Sequence, residues 1–205
     1  MSETLTATAP RKPVNALGRA LGLSQSETVA MGDLFVEVLG RFGLQGRPIF
    51  ERMSQGQPLA QALEVPQGTA DVLYARAHQW FSVGRRDKAE SLFRALCVIS
   101  GDVADHWLGY GICLKMRGLL PEAEQAFTTG AALRPDWAIP YFHLAEIFIR
   151  SGEWQRAQQA MAAFDNRLDE ATPEPVIAEA ERFTIAIALR SEDPARQPVV
   201  AASSS

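Results

Sequence analysis

Between Leu73 and Phe164 the large and small positions of the chain recur three times at one fixed step. Leu73, Trp107 and Tyr141 open the units, Trp80, Leu114 and Phe148 follow, and Phe93, Phe127 and Met161 stand near their ends. Small residues keep the same step at Ala77, Gly111 and Ala145, at Ala89, Ala123 and Ala157, and at Gly84, Gly118 and Gly152. Within each unit the apolar spacing is that of a helix face, and the third small column interrupts it with glycine, so each unit reads as two helices joined by a tight turn. The two alanine-rich columns let the paired helices approach closely while the aromatics fill the space around the crossing. Pro121 fits the first turn of the second helix of the middle unit, where a missing N–H is harmless, and Pro135 fits just past that helix's end.

A helical hairpin repeated at this period, roughly 34 residues, is the tetratricopeptide (TPR) pattern. The expected fold class is all-α: a TPR solenoid of three repeats, at 70–103, 104–137 and 138–171, with N-terminal helices at 15–69 and a C-terminal capping helix at 172–190. One hairpin cannot bury its apolar face alone, whereas three stacked hairpins share a continuous core and leave a concave face lined by the first helix of each. Upstream, Val29, Leu34, Phe35, Val38, Leu39 and Phe42 have helical spacing, with Ser26 and Thr28 near the helix start as the expected cap. The segment after it splits at Gly56 and Pro58 into two short helices. Downstream, Pro173 and Pro175 precede a run carrying Val176, Ile177, Ala180, Phe183, Ile185, Ile187 and Leu189, the expected cap of the solenoid's open end. Residues 1–14 and 191–205 are rich in small polar residues and proline and read as disordered.

Composition narrows the function by exclusion. The 20 basic and 24 acidic residues of the 205-residue chain are well mixed, giving a net charge of −4, so no basic stripe proposes nucleic acid. No apolar run reaches the roughly 20 residues of a membrane span and the N-terminus has no signal-peptide core, which predicts a cytoplasmic protein that does not insert into membranes. Cys97 and Cys113 lack metal or redox spacing. His78, His106 and His143 fall at three phases of the repeat, which argues against a shared metal site. Gly109 and Gly111 lie in a helix interior without the strand and turn of a phosphate loop. No cofactor, metal or catalysis is expected.

The concave face is the candidate binding site. Residues offset by about a helix face from the packing set are Tyr74, His78 and Phe81 in the first repeat, Leu108, Ile112 and Lys115 in the second, and Phe142, Glu146 and Ile149 in the third. Six of these nine are apolar or aromatic, the composition a holder of apolar segments needs. The competing reading is a stripe of ordinary core, covered by the flanking helices. Leu34, Phe35, Val38, Leu39 and Phe42, with Ile49 and Phe50, exceed what one short helix exposes and are expected to support self-association into a homodimer.

The run LYARAHQWFSVGRRDKAESLFRALCVISG followed by LGYGICLKMRGLLPEAEQAFTTGAAL resembles the class II chaperones of bacterial type III secretion, the SycD/LcrH/IpgC group. The resemblance extends upstream into GQPLAQALEVPQGTADVLYARA and leaves residues 1 to about 41 uncovered. It implies a non-catalytic bacterial cytoplasmic chaperone that holds one or two hydrophobic secreted translocator proteins in the TPR groove before export and that dimerises through N-terminal helices. Tyr74 and Phe81 match aromatic positions of the family groove, and His78 stands where an aromatic is common. The alternative is a general TPR adaptor binding another partner's peptide.

Overall fold

The structure, a computed structural model, describes residues 16–41 and 43–191, and among them every regular element is a helix. The expectations for the N-terminal segment before Ala16, for Phe42 and for the tail beyond Ser191 lie outside the described residues. The chain divides at residues 70 and 71 into two compact units.

The first unit contains α1 (Ala16–Ala20), α2 (Gln25–Arg41), α3 (Gly46–Ser54) and α4 (Leu59–Ala62). α2 is capped by Ser24 rather than by the expected Ser26 or Thr28. Ser24 Oγ accepts from the Glu27 backbone N–H at 3.3 Å, and the Glu27 carboxylate accepts from the Ser24 N–H at 2.8 Å. This reciprocal capping box holds the Glu27 carboxyl below the usual carboxylate range. α2 and α3 meet on small residues: a Cβ at Gly32 would strike the Phe50 ring at 2.6 Å, and one at Gly46 would strike the Val36 backbone at 2.7 Å. Phe35 lies 5.9 Å from Phe50, and Ile49 is buried beside them.

The second unit carries the repeats. Its hairpins pair α5 (Thr69–Ser82) with α6 (Arg86–Ile99), α7 (Ala104–Met116) with α8 (Leu120–Leu133), and α9 (Ile139–Ser151) with α10 (Trp154–Asp165), and α11 (Glu174–Ser191) follows. The turns repeat to the hydrogen bond. Gly84, Gly118 and Gly152 are left-handed, with φ of 79°, 80° and 75°, and the N–H after each reaches back to the carbonyl of Trp80, Leu114 and Phe148. Glycine is required there because a Cβ disfavours that backbone region. The alanine columns are sealed, with Ala77, Ala145, Ala89, Ala123 and Ala157 all at 0% exposure. Phe93 and Phe127 are buried to within 1% and Met161 to within 4%, and Phe127 and Met161 belong to one core shared by the second and third hairpins and α11, which one hairpin could not form alone. Arg117 at the end of α7 grips both oxygens of the buried Glu90 carboxylate on α6, at 2.7 and 2.9 Å, tying one hairpin to the next.

The two glycines inside α7 have packing roles. A Cβ at Gly111 would lie 2.6 Å from the Phe127 ring of its own hairpin, and one at Gly109 would overlap the Phe93 ring of the preceding hairpin. Gly109→Ala gains helix propensity of about 1 kcal/mol. It also overpacks against a ring that is 1% exposed and has nowhere to retreat, a penalty of about 1–3 kcal/mol. We expect a net loss of about 1 kcal/mol in urea unfolding, with recovery when Phe93→Leu is added. A stabilised Gly109→Ala variant would contradict this packing.

Candidate functional site

The first helices of the hairpins, α5, α7 and α9, present the nine expected groove residues in two different settings. At the first repeat the setting is open and aromatic. Tyr74 is half-buried, its ring 4.5 Å from His78, 6.0 Å from Phe93 and 5.6 Å from His106 of α7, and His78 also meets Phe93 edge-on at 5.4 Å. Burial, followed by the charge of Asp105, pushes the Tyr74 phenol pKa up. His106 is itself buried and fixed by a 3.1 Å contact between Nδ1 and the Ser100 carbonyl. Phe81, Leu108, Ile112 and Ile149 are half-buried, each with part of its apolar surface open.

At the third repeat the setting is closed and polar. Lys115, expected to reach into a groove, is only 8% exposed, because its ammonium is in direct contact with the Glu146 carboxylate and donates to His143 Nδ1 at 3.1 Å. That hydrogen bond selects the neutral imidazole with its proton on Nε2. His143 is stacked on Phe127, centroids 4.9 Å apart and planes 25° apart, and burial lowers its pKa below the usual 6.5. His143 and the Lys115 ammonium hold the Glu146 carboxyl down at about 2. The ammonium acts by contact, and the ring, 3.8 Å from the carboxylate, adds to it only in its protonated form. Phe142 is only 7% exposed, covered by Phe183 of α11 at 5.2 Å and 15° and resting on Phe164 at 6.0 Å.

The sequence pattern gives His143 as an ordinary histidine and reads Phe183 as part of the capping helix, with no stack on Phe142. The spacing of His143 three residues before Glu146 is the available signal for a polar cluster. Cys97 and Cys113 are buried, with thiols pushed up by burial to about 12 and about 11, so neither is a ready nucleophile. Among the described residues no cluster of three metal-ligating side chains forms, and no helix is long and apolar enough to cross a membrane.

The residues expected at a self-association surface separate. Phe35, Leu39, Ile49 and Phe50 pack within the first unit. Leu34 and Val38, one turn apart on α2, stay 60% and 42% exposed.

No protein-family model matches the chain. Among curated proteins it is similar to the chaperone protein SicA of Salmonella typhimurium, 24% identical over 122 residues that cover 60% of this chain and 74% of SicA. Among solved structures it is similar to the type III secretion chaperone SycD of Yersinia enterocolitica in complex with a peptide of the translocator YopD. That match is 25% identical with a TM-score of 0.58, covering 62% of this chain and 98% of that one. It is also similar to PcrH of Pseudomonas aeruginosa in complex with the chaperone-binding region of PopD, 26% identical with a TM-score of 0.58, covering 62% of this chain and 96% of that one.

Proposed function

We propose that this chain, which resembles the class II chaperones of type III secretion in both sequence and fold, binds hydrophobic translocator proteins on the first-helix face of its repeats and keeps them soluble before export. The observation that carries the reading is the open apolar surface of Tyr74, Phe81, Leu108 and Ile112 on the stack whose relatives were solved with translocator peptides. Such a face suits an extended segment with spaced apolar side chains, each burying surface that would otherwise drive aggregation. No step of this function needs bond chemistry, and the setting is the bacterial cytoplasm, where the cargo waits before secretion. Isolation of the tagged protein from its own bacterium, with mass spectrometry of what accompanies it, should return one or two membrane-inserting secreted proteins. Recovery of only soluble partners would overturn the reading.

The adaptor alternative, in which a TPR groove clamps a partner's terminal carboxylate, needs cations free to pair with it. Lys115, the cation expected in this groove, is already engaged by Glu146 and His143, which weighs against that mode.

The exposed Leu34 and Val38 support self-association through α2, because a second copy would cover a stripe that the first unit leaves open. Leu34→Asp with Val38→Asp should convert the species seen by light scattering from dimer to monomer without loss of helicity. An unchanged mass would rule out this surface.

A further inference from the structure

α11 keeps the phase of the repeats without their geometry. Val176, Ala180 and Phe183 stand one repeat period after Phe142, Glu146 and Ile149, so a fourth first-helix would present them on the ligand face. That face is instead turned onto the stack: Ala180 and Ile187 are buried, and Val176 and Phe183 pack on the core beside them. Arg182, in the column that otherwise packs on a second helix, lies on the surface paired with Glu179 at 2.7 Å. The consequence falls on one column of the groove. Tyr74, Leu108 and Phe142 are equivalent by period, yet the first two keep open surface while Phe142 is sandwiched between Phe183 and Phe164. Beside it, the Lys115, His143 and Glu146 cluster replaces apolar surface with a satisfied ionic group.

We propose that Phe183 is a specificity-determining residue that fills the third-repeat anchor position on Phe142, so that the ligand is read by the first two repeats alone. The inference rests on the chaperone reading above and sets the class of segment recognised. With helix axes about 8–10 Å apart and an extended chain rising about 3.3 Å per residue, anchors for two neighbouring first-helices stand about three residues apart. The preferred ligand is therefore a short extended stretch with apolar side chains for the Tyr74 and Phe81 surface and for the Leu108 and Ile112 surface, and no third anchor. Displacement of α11 by cargo is disfavoured because Phe183 shares its helix with Ala180 and Ile187, and lifting it would expose Phe142 and Phe164 together.

The test uses the full chain and fluorescent synthetic peptides of about 14 residues on an extended Ser/Thr/Pro background, carrying two leucines at varied spacings or three. With wild type, the best two-leucine peptide should bind, and a third leucine should leave Kd within about twofold. Phe183→Ala should leave two-leucine binding unchanged and bind the three-leucine peptide about tenfold more tightly, the effect of one added buried anchor. Phe183→Leu keeps the position filled and should behave as wild type. A tenfold gain from the third leucine in wild type would overturn the proposal, and so would no gain in a Phe183→Ala variant that melts as a folded protein. Should that variant fail to fold, the Phe142–Phe183 ring NOE in wild type decides: it should persist with peptide bound, and its loss would overturn the proposal. If no peptide binds wild type at any spacing, the chaperone reading itself falls, and this inference with it.

Discussion

Glu146→Leu should destabilise the folded chain by about 2–3 kcal/mol at neutral pH, although it places an apolar side chain in a largely apolar region. The Lys115 ammonium is almost fully buried and depends on the Glu146 carboxylate for compensation, with only the neutral His143 ring as a second partner. Removing the carboxylate leaves a buried charge with one weak acceptor, so the chain either carries that penalty or shifts the lysine toward its neutral form. Lys115→Met added to Glu146→Leu removes both charges and should return stability to within about 1 kcal/mol of wild type. Urea unfolding of the two single variants and the double variant reads the coupling directly, and additive losses would contradict the paired geometry.

The same cluster sets an acid sensitivity. His143 has a lowered pKa in the fold, so the unfolded chain takes up a proton that the folded chain resists, and stability falls as pH drops below about 6.5. Glu146, lowered to about 2 from 4.5, contributes stability that is complete above 4.5 and is lost between 4.5 and about 2. Both effects act in one direction, in separate windows. His143→Gln keeps a hydrogen-bond acceptor for Lys115 and should flatten the loss between about pH 7 and 5.5 while leaving the lower window in place.

Tyr74→Ala combined with Phe81→Ala should weaken cargo binding by about a hundredfold, roughly tenfold for each aromatic anchor. The two effects differ in origin. Phe81 stacks on no other ring among the described residues, so its truncation should act mainly on the ligand. Tyr74 packs on His78, Phe93 and His106, so its truncation should also lower thermal stability. Val98→Ala, at a position 60% exposed on the second helix of the same hairpin, should leave both binding and stability unchanged.

The repeat is legible in the sequence because its constraints are strict: a left-handed turn selects glycine, and a close helix crossing selects alanine, so both columns show at the same step. The departures have local causes. The cap of α2 belongs to Ser24 and Glu27, a pair recognisable by its capping-box spacing, where Ser26 has no acidic partner at that offset. Gly109 and His143 occupy one column, which reads Ala75, Gly109, His143 and shows no common type. Each meets the aromatic residue of the preceding hairpin, Phe93 over Gly109 and Phe127 against His143, so the demand on this column comes from a neighbouring helix and is answered differently each time. The third repeat of the groove is the hardest to read. Its closure depends on how α11 turns when it docks as a cap, and periodicity alone assigns Phe183 to the ligand face rather than to a stack on Phe142.

Calorimetric titration shows whether the open face of the first two repeats holds translocator segments. The segment would be the chaperone-binding region of the translocator that co-purifies with the protein, titrated into wild type and into the Tyr74→Ala/Phe81→Ala variant, each first shown to be folded. Wild type should show one saturable site, and the variant should bind about a hundredfold more weakly. Equal affinity for two folded proteins would place the cargo elsewhere and contradict binding at this face.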